Sequence, residues 1–350
     1  MRILFDARSV RTPAGLQVFQ GLTDGWLKDP RVRAVYAALP DAFDQRLIPL
    51  GVRAIRVRSV PWPWHLLCEV PRVAREVHAD VVFAPNGLPP PDRRGVAYFQ
   101  DLHHFRRSTV SRPDPHLILQ WTFRRAWWAY ALRSWRLGVP VSETIKHEVS
   151  RRLSIRVHTI PLGVEVGPLR WTGHQSSVFV MGGTGSHKAE ADAISAWSMV
   201  SGGARRKAAL IVGGVEPAPR REELVTLARR LGLRDQVTVL GGVKRPCYLG
   251  HIAAARFAVC CSTLEAGALA VAEALVIGAP VVCSDIPSHK ELLARADAGA
   301  SFPHGDVAAL AAAMERALGG DLPRRLPGVP RGWSWDARAT DHIDWYEQHI

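Results

Sequence analysis

The chain has 350 residues, 47% hydrophobic and 22% charged, which are globular proportions and enough length for two domains with separate cores. No run of about 18 apolar residues is present to span a bilayer, and Met1-Arg-Ile-Leu-Phe-Asp6 is too short an apolar start for a signal peptide, so a cytoplasmic protein is expected. Five cysteines without Cys-x-x-Cys or Cys/His spacing suggest neither a zinc site nor a disulfide framework, while a formal charge of +13 favours nucleic acid, an anionic membrane face or phosphate-bearing substrates as partners.

Short β-rich runs at residues 3–5, 32–39, 54–57, 81–84 and 96–99 alternate with amphipathic stretches such as 66–77, the pattern of βαβ units around a parallel sheet. The loop behind the first run carries Pro13-Ala-Gly15-Leu16. Asn86-Gly-Leu-Pro-Pro-Pro and Tyr98-Phe-Gln-Asp-Leu-His-His-Phe fall at C-terminal strand ends, the edge where open α/β sheets bind ligands, so Gln100, Asp101, His103 and His104 face a cleft. From Arg106 to Arg136, arginines interleave with Trp121, Phe123, Trp127, Trp128, Tyr130 and Trp135. Such a segment suits an interfacial helix that meets lipid headgroups; the alternative is a packed amphipathic helix with solvated arginines. Val139-Pro-Val-Ser142 predicts a strand whose last serine N-caps a helix.

Gly163, Gly167, Pro168 and Gly173 interrupt the pattern and place a linker at residues 162–175. A second series of β runs follows at 178–181, 209–212, 237–240, 257–261 and 280–284. Cys260, Cys261 and Cys283 lie in these runs and act there as small apolar residues.

Gly182-Gly183-Thr-Gly-Ser-His-Lys188-Ala follows the first strand of the second series and precedes a helix. Its glycines let backbone amides close on a diphosphate, and Lys188 is a cation able to neutralise leaving-group charge. The run has neither Gly-x-Gly-x-x-Gly spacing nor the Gly-Lys-Ser/Thr ending of a P-loop. Later, Glu265-Ala-Gly267-Ala268-Leu269-Ala-Val-Ala-Glu273 enters a helix of good formers at 268–277, stopped by Gly278 and Pro280. Glu265 therefore sits beside a helix N-terminus whose free amides can receive a phosphate. Glu273 lies in apolar surroundings, where a carboxylate needs a donor such as a ribose diol or a sugar hydroxyl. The plain alternative is a capping Glu265 and a solvated Glu273. No Asp-x-Asp occurs, which argues against a metal on the diphosphate, and no cofactor beyond a donor substrate is expected.

The two glutamates, with Gly278-Ala-Pro-Val-Val behind them, resemble the donor-site signature of the family 4 retaining glycosyltransferases of the GT-B fold (glycosyl transferases group 1). That family writes Glu-Gly-Phe-Gly-Leu where this chain has Glu265-Ala266-Gly267-Ala268-Leu269, so Ala268 replaces a glycine whose backbone approaches the phosphate. Gly182 onward resembles its Val-Gly-x-x-x-x-His-Lys-Asn element, whose lysine contacts the donor diphosphate, though an arginine common about five residues before that lysine is missing. Gly241-Gly-Val243-Lys244 resembles its Phe-x-Gly-x-Val loop, where backbone groups read the nucleobase. Gly15 resembles part of its Gly-Gly-Ile-Gly-Arg-Tyr turn, which approaches the phosphate or acceptor. Gln100 stands where relatives often have a histidine near the donor sugar, and His103 or His104 would compensate. Ile160-Pro-Leu-Gly-Val-Glu165 resembles the junction Ile-Pro-Asn-Gly-Val-Asp, with Leu162 for Asn, and Trp333-Ser-Trp-Asp336 resembles the closing helix, with Trp335 as a core anchor and Asp336 as its cap.

The resemblance implies an α/β GT-B protein: two Rossmann-like, doubly wound domains facing across a cleft. Residues 1–165, completed by the helix 336–350, would bind the acceptor, and residues 166–335 the nucleotide sugar. It implies metal-independent hexosyl transfer with retention. Glu265, Lys188, His103 and His104 form the catalytic set, and Gly15, Gly182, Gly183, Lys188, Val243, Gly267, Ala268, Leu269 and Glu273 hold the donor. The expected partners are a nucleotide-sugar donor and a glycan or lipid-linked acceptor of polysaccharide biosynthesis, with peripheral contact at the inner face of an anionic membrane. No nucleic acid is expected, since no nucleic-acid motif accompanies the charge. Two other readings share the shell: a nucleotide-sugar-binding protein weakened in turnover, favoured by Ala268, Gln100 and the missing arginine, and a nucleotide-sugar epimerase.

Overall fold

The computed structural model describes the chain apart from Arg11, Asn86, residues 101–114, 132–133, 135–136 and 324–326, and Arg331, and apart from the side chains of residues 115–121 and 124. It divides into two compact units, residues 1–163 with 331–350, and residues 164–330. In the first unit come β1 (Arg2–Asp6), α1 (Pro13–Lys28), β2 (Ala34–Pro40), β3 (Arg53–Val57), α2 (Trp62–Trp64) and α3 (Val70–Glu76). They are followed by β4 (Val81–Ala84), β5 (Gly95–Phe99), α4 (Pro115–Ala131), β6 (Leu137–Pro140), α5 (Glu143–Ser150) and β7 (Arg156–Val157). The second unit holds β8 (Ser177–Met181), α6 (Glu190–Met199), α7 (Gly202–Arg205), β9 (Ala209–Gly213), α8 (Ala218–Arg230), β10 (Val237–Val239) and α9 (Arg245–Ala254). It continues with β11 (Phe257–Cys260), α10 (Leu269–Ile277), β12 (Val281–Ser284), α11 (Pro287–Ala296), β13 (Ala300–Phe302) and α12 (Val307–Leu318); α13 (Trp335–Glu347) closes the chain.

Among the described residues the first sheet runs β3-β2-β1-β4-β5-β6-β7 and the second β10-β9-β8-β11-β12-β13, with every pairing parallel. Parallel strands need crossover connections and are covered on both faces, which is why β4, β5, β8, β11 and β12 read as unbroken buried runs rather than alternating ones. In each sheet the strand order reverses beside the first strand. That topological switch point is where α/β sheets bind ligands, and in the second unit it lies between β8 and β11.

The amphipathic stretch predicted at 66–77 is helical from Trp62 to Glu76 but passes through a π turn at His65–Glu69, where the Val70 amide reaches back to the His65 carbonyl. Pro71 explains it: a proline has no amide to continue the regular ladder, and the turn widens. The π turn buries His65 with its Nε2 2.9 Å from Asp6 Oδ1 at the end of β1. Ser142 N-caps α5, accepting from the Ile145 amide.

One expectation for the first unit changes, and one pair of alternatives is decided. Gly15 is not in a loop. It lies in the first turn of α1, buried, and its amide donates to the Thr12 side chain at 3.1 Å, so the N-cap already uses the group that a phosphate would need. Trp127 and Trp128 take the packed alternative rather than the interfacial one: each is 5% exposed, and their indoles donate to the Pro89 and Gly87 carbonyls. Arg125 and Tyr130 lie on the exposed side of α4, while Arg106, Arg107, Arg112, Trp121, Arg124, Arg133, Trp135 and Arg136 are outside the described residues or side chains. No helix among the described residues is long and apolar enough to cross a membrane.

α13 packs on α1 through glycines. A Cβ at Gly21 would sit 2.3 Å from the Trp335 ring and one at Gly25 2.5 Å from Ala339 Cβ, so Gly21 seats the ring and Gly25, one turn on, lets the α13 backbone come close. Trp335 is buried, and Gly163 closes on its other side. The cap of α13 is Ser334, which accepts from the Ala337 amide; Asp336 instead pairs with Lys28 at 2.9 Å. Beneath, Trp26, Phe83, Tyr98 and Tyr346 surround a buried His342, whose pKa burial lowers to about 3; its Nδ1 is hydrogen-bonded with the Tyr346 hydroxyl at 2.9 Å. Trp335→Ala should cost about 3–5 kcal/mol of stability, the usual loss for a buried aromatic, seen as a lower urea midpoint for the first unit.

Candidate functional site

β8 ends at Met181, and the Gly182-rich loop leaves the sheet at the switch point. No side chain fits at Gly182, since a Cβ would lie 2.6 Å from the Gly213 carbonyl on β9. The loop then makes a short 3-10 turn, Ser186–Lys188, before α6. The Gly183 amide is not open: it donates to Glu190 Oε1 at 3.1 Å, and the fully buried Glu190 is in turn paired with Arg220 on α8. A carboxylate of the chain itself thus occupies part of the cradle expected for a diphosphate.

Lys188 reaches across to the loop behind β11, and its Nζ donates to Glu265 Oε1 at 2.5 Å. Two motifs 77 residues apart meet there because β8 and β11 are neighbours in the sheet. Ser262 Oγ also donates to Glu265 Oε1, at 2.8 Å. Burial works against charge on both groups, yet their mutual attraction prevails: the Lys188 pKa is raised and the Glu265 pKa lowered, so both stay ionised. Behind them runs a buried polar chain. The Cys260 sulfur lies 3.4 Å from Ser262 Oγ and 3.7 Å from His289 Nε2, and His289 Nδ1 donates to the Ser284 carbonyl at 3.0 Å. Cys260 is therefore more than apolar filling, since it joins a network that ends on Glu265.

α10 begins at Leu269, after Ala268 in a left-handed conformation (φ 45°, ψ 49°), and no side chain caps it. An L-residue is strained there, and glycine would not be. Gly267 and Leu269 flank this corner, so the amides expected to receive a phosphate stand at the helix start. Every residue of α10 from Val271 to Ile277 is buried. Glu273 is 5% exposed, and its partner is Arg245 of α9, whose Nη2 donates to Oε1 at 2.7 Å. The same guanidinium donates to the Glu165 carbonyl. Burial still raises the Glu273 pKa, with Arg245 opposing it. Neither glutamate is a helix cap or a solvated surface residue.

Val243 is half-buried in the turn between β10 and α9, where the neighbouring Gly242 amide donates to Glu216 Oε1 at 2.8 Å. Tyr248, one turn into α9, donates from its hydroxyl to the Gly182 carbonyl at 3.4 Å and so ties this helix to the glycine loop. Gln100 follows β5 half-buried, while Asp101, His103 and His104 lie outside the described residues. The structure thus brings Gly182, Gly183, Lys188 and Glu265 together, puts Gly267, Ala268, Leu269 and Glu273 on one helix start, and leaves Gly15 in the first unit. Glu190, Arg220, Arg245, Ser262 and His289 had not been singled out. The need for a donor at Glu273 was visible in its apolar helix, but not which residue would meet it.

Ala268→Gly should stabilise the protein by about 1 kcal/mol, read by urea denaturation, because it relieves the left-handed strain. Lys188→Met should cost about 3 kcal/mol by leaving Glu265 buried without its counter-charge, and adding Glu265→Gln should recover most of that loss. The stability from this pair is whole between the ordinary pKa values of 4.5 and 10.5; it fades as pH falls through the lowered pKa of Glu265 or climbs through the raised pKa of Lys188.

Residues 170–326 match the family model described as glycosyl transferases group 1. No curated protein matches the chain in sequence. Among solved structures, sucrose-phosphate synthase from Thermosynechococcus elongatus is similar with a TM-score of 0.71 at 14% identity, covering 99% of this chain and 98% of that one. HepE of Anabaena, solved in complex with UDP and glucose, gives 0.69 at 17% identity over 99% and 100%. WaaG, a glycosyltransferase involved in lipopolysaccharide biosynthesis, gives 0.67 at 17% identity over 98% and 95%. The chain has the GT-B fold, and residues 170–326 of its second unit match the glycosyl transferases group 1 model.

Proposed function

We propose that the protein is a retaining glycosyltransferase that moves a hexose from a nucleoside diphosphate sugar to an acceptor hydroxyl. In that reaction the bond from the sugar C1 to the diphosphate breaks, a bond from C1 to the acceptor oxygen forms, and the acceptor proton departs. Negative charge grows on the leaving phosphate oxygen, so the catalyst must offer positive charge and amide donors at that point. Lys188 and the α10 start at Gly267, Ala268 and Leu269 are suited to this, and Lys188 supplies charge that a metal would otherwise bring. Glu265 would hold sugar hydroxyls, Glu273 the ribose and the Val243 turn the base, which fixes the geometry before the chemistry.

The observation that carries this reading is the contact between Lys188 and Glu265 at the switch point of a group 1 domain. UDP and glucose in HepE support a nucleotide-sugar donor. The first unit would hold the acceptor. An acceptor that is lipid-linked or part of a cell-envelope glycan, met at the inner face of a membrane, draws support from the net charge of +13, the exposed Arg125 and Tyr130 on α4, and the pathway named for WaaG.

A second reading, a nucleotide-sugar-binding protein without turnover, is favoured by one observation: Glu190 already occupies the Gly183 amide.

A thermal-shift series with UDP, ADP, GDP, CDP and TDP and their hexose conjugates should show one base raising the melting point. Release of the nucleoside diphosphate from the matching sugar should follow, even without acceptor, and Lys188→Ala or Glu265→Gln should slow it about 10²–10³-fold. Affinity without release selects the binding protein, and unchanged rates in both variants remove these two residues from the mechanism.

A further inference from the structure

We propose that Arg245 is a positioning residue for the donor ribose: its ion pair fixes the Glu273 carboxylate, and its hydrogen bond to Glu165 fixes the wall beside it, so that the carboxylate is presented to a vicinal diol. This rests on the reading of Glu273 as the ribose acceptor and adds a residue that the donor motif does not contain.

The geometry is built around one buried anion. α10 is Leu-Ala-Val-Ala-Glu-Ala-Leu-Val-Ile, so Glu273 is its only polar side chain, and it is 5% exposed. A carboxylate in such a place loses its charge unless a cation faces it. α10 packs against α9, α11 and β12. Among the described residues, Arg245 and Tyr248 of α9 interact with Glu273, the Glu165 main-chain carbonyl shares the Arg245 guanidinium, and His289 of α11 and Cys283 of β12 interact with each other. Burial raises the Glu273 pKa, and the attraction that opposes this loss of charge comes from Arg245.

Arg245 is well placed to couple this anion to the rest of the nucleotide. It is the first residue of α9, directly behind the turn that contains Val243, and Tyr248 one turn later holds the Gly182 carbonyl of the glycine loop. Base turn, ribose carboxylate and phosphate loop thus share one short helix. Its Nε is buried with no hydrogen-bond partner among the described residues, so the guanidinium is held by Glu273 and Glu165 through Nη2.

The test uses the nucleoside diphosphate, among the five above, that gives the largest thermal shift, together with its 2′,3′-dideoxy form. Both are titrated by calorimetry from pH 5 to pH 9 against the full-length wild type, Arg245→Met, Arg245→Lys and Glu273→Gln. Wild type should prefer the ribose form by about tenfold or more, with no change across neutral pH. Arg245→Met should lose that preference at neutral pH and regain it only as pH rises, its midpoint moved up by about 1–3 pH units, and Arg245→Lys should restore part of it. A merely structural arginine would lower the melting point and weaken both ligands alike, leaving the preference and its pH profile as in wild type; that result overturns the inference. Should Arg245→Met fail to fold, an Arg245→Lys profile identical to wild type at every pH overturns it as well. Glu273→Gln separates the two ideas: loss of the preference there, with none in the Arg245 variants, sinks only the role of Arg245. A preference that survives Glu273→Gln, or a wild type that binds none of the five, sinks the ribose reading and this one together.

Discussion

Holding two carboxylates out of water without neutralising them is the constraint around which the second unit is organised. Glu265 and Glu273 are both largely buried, and each is met by one cation brought from a different βα unit, Lys188 and Arg245. The parallel order places β8 and β11 side by side with their C-terminal ends together, so loops distant in sequence deliver opposite charges to one spot. Glu190 repeats the solution with Arg220 beneath the glycine loop. Buried pairs of this kind add little net stability, because desolvation offsets most of the attraction. Their value lies in fixing where charge stands before any ligand arrives.

The costs collect at the same place. Ala268 holds a left-handed conformation that glycine would adopt without strain, the start of α10 has no side-chain cap, and burial keeps the Glu273 pKa above its usual range despite Arg245. Strain, uncapped amides and a destabilised anion are each unfavourable for folding alone. Their concentration within a dozen residues at a switch point is what a ligand site looks like in energetic terms.

The strands were the legible part of the sequence, because a doubly covered parallel strand must be an apolar run and short runs such as Val81-Val-Phe-Ala have no other explanation in a globular chain. Lys188, Glu265 and Glu273 were legible because their spacing is tied to a loop and a helix start. Arg245 and Arg220 were not: each is one arginine among many on the surface of a helix, and only tertiary packing shows that its head group is aimed at a buried carboxylate. Gly15 was misread although Thr12-Pro13 is a helix-start signature, and a helix start spends the amide that a loop glycine would have left open. Trp127 and Trp128 show the same ambiguity, since an amphipathic aromatic stretch looks alike whether its rings meet lipid or the interior.

The glycine seat on α1 has a consequence for the order of events during synthesis. The ring that fills it, Trp335, is made more than 300 residues later (Gly21 to Trp335), after the whole second unit has been synthesised. Until then the first sheet has formed its local βα contacts but lacks one covering layer, with Gly21 and Gly25 lining an open trough. Domains generally fold as units in the order they emerge, and this one must wait, incomplete, for its neighbour to be translated.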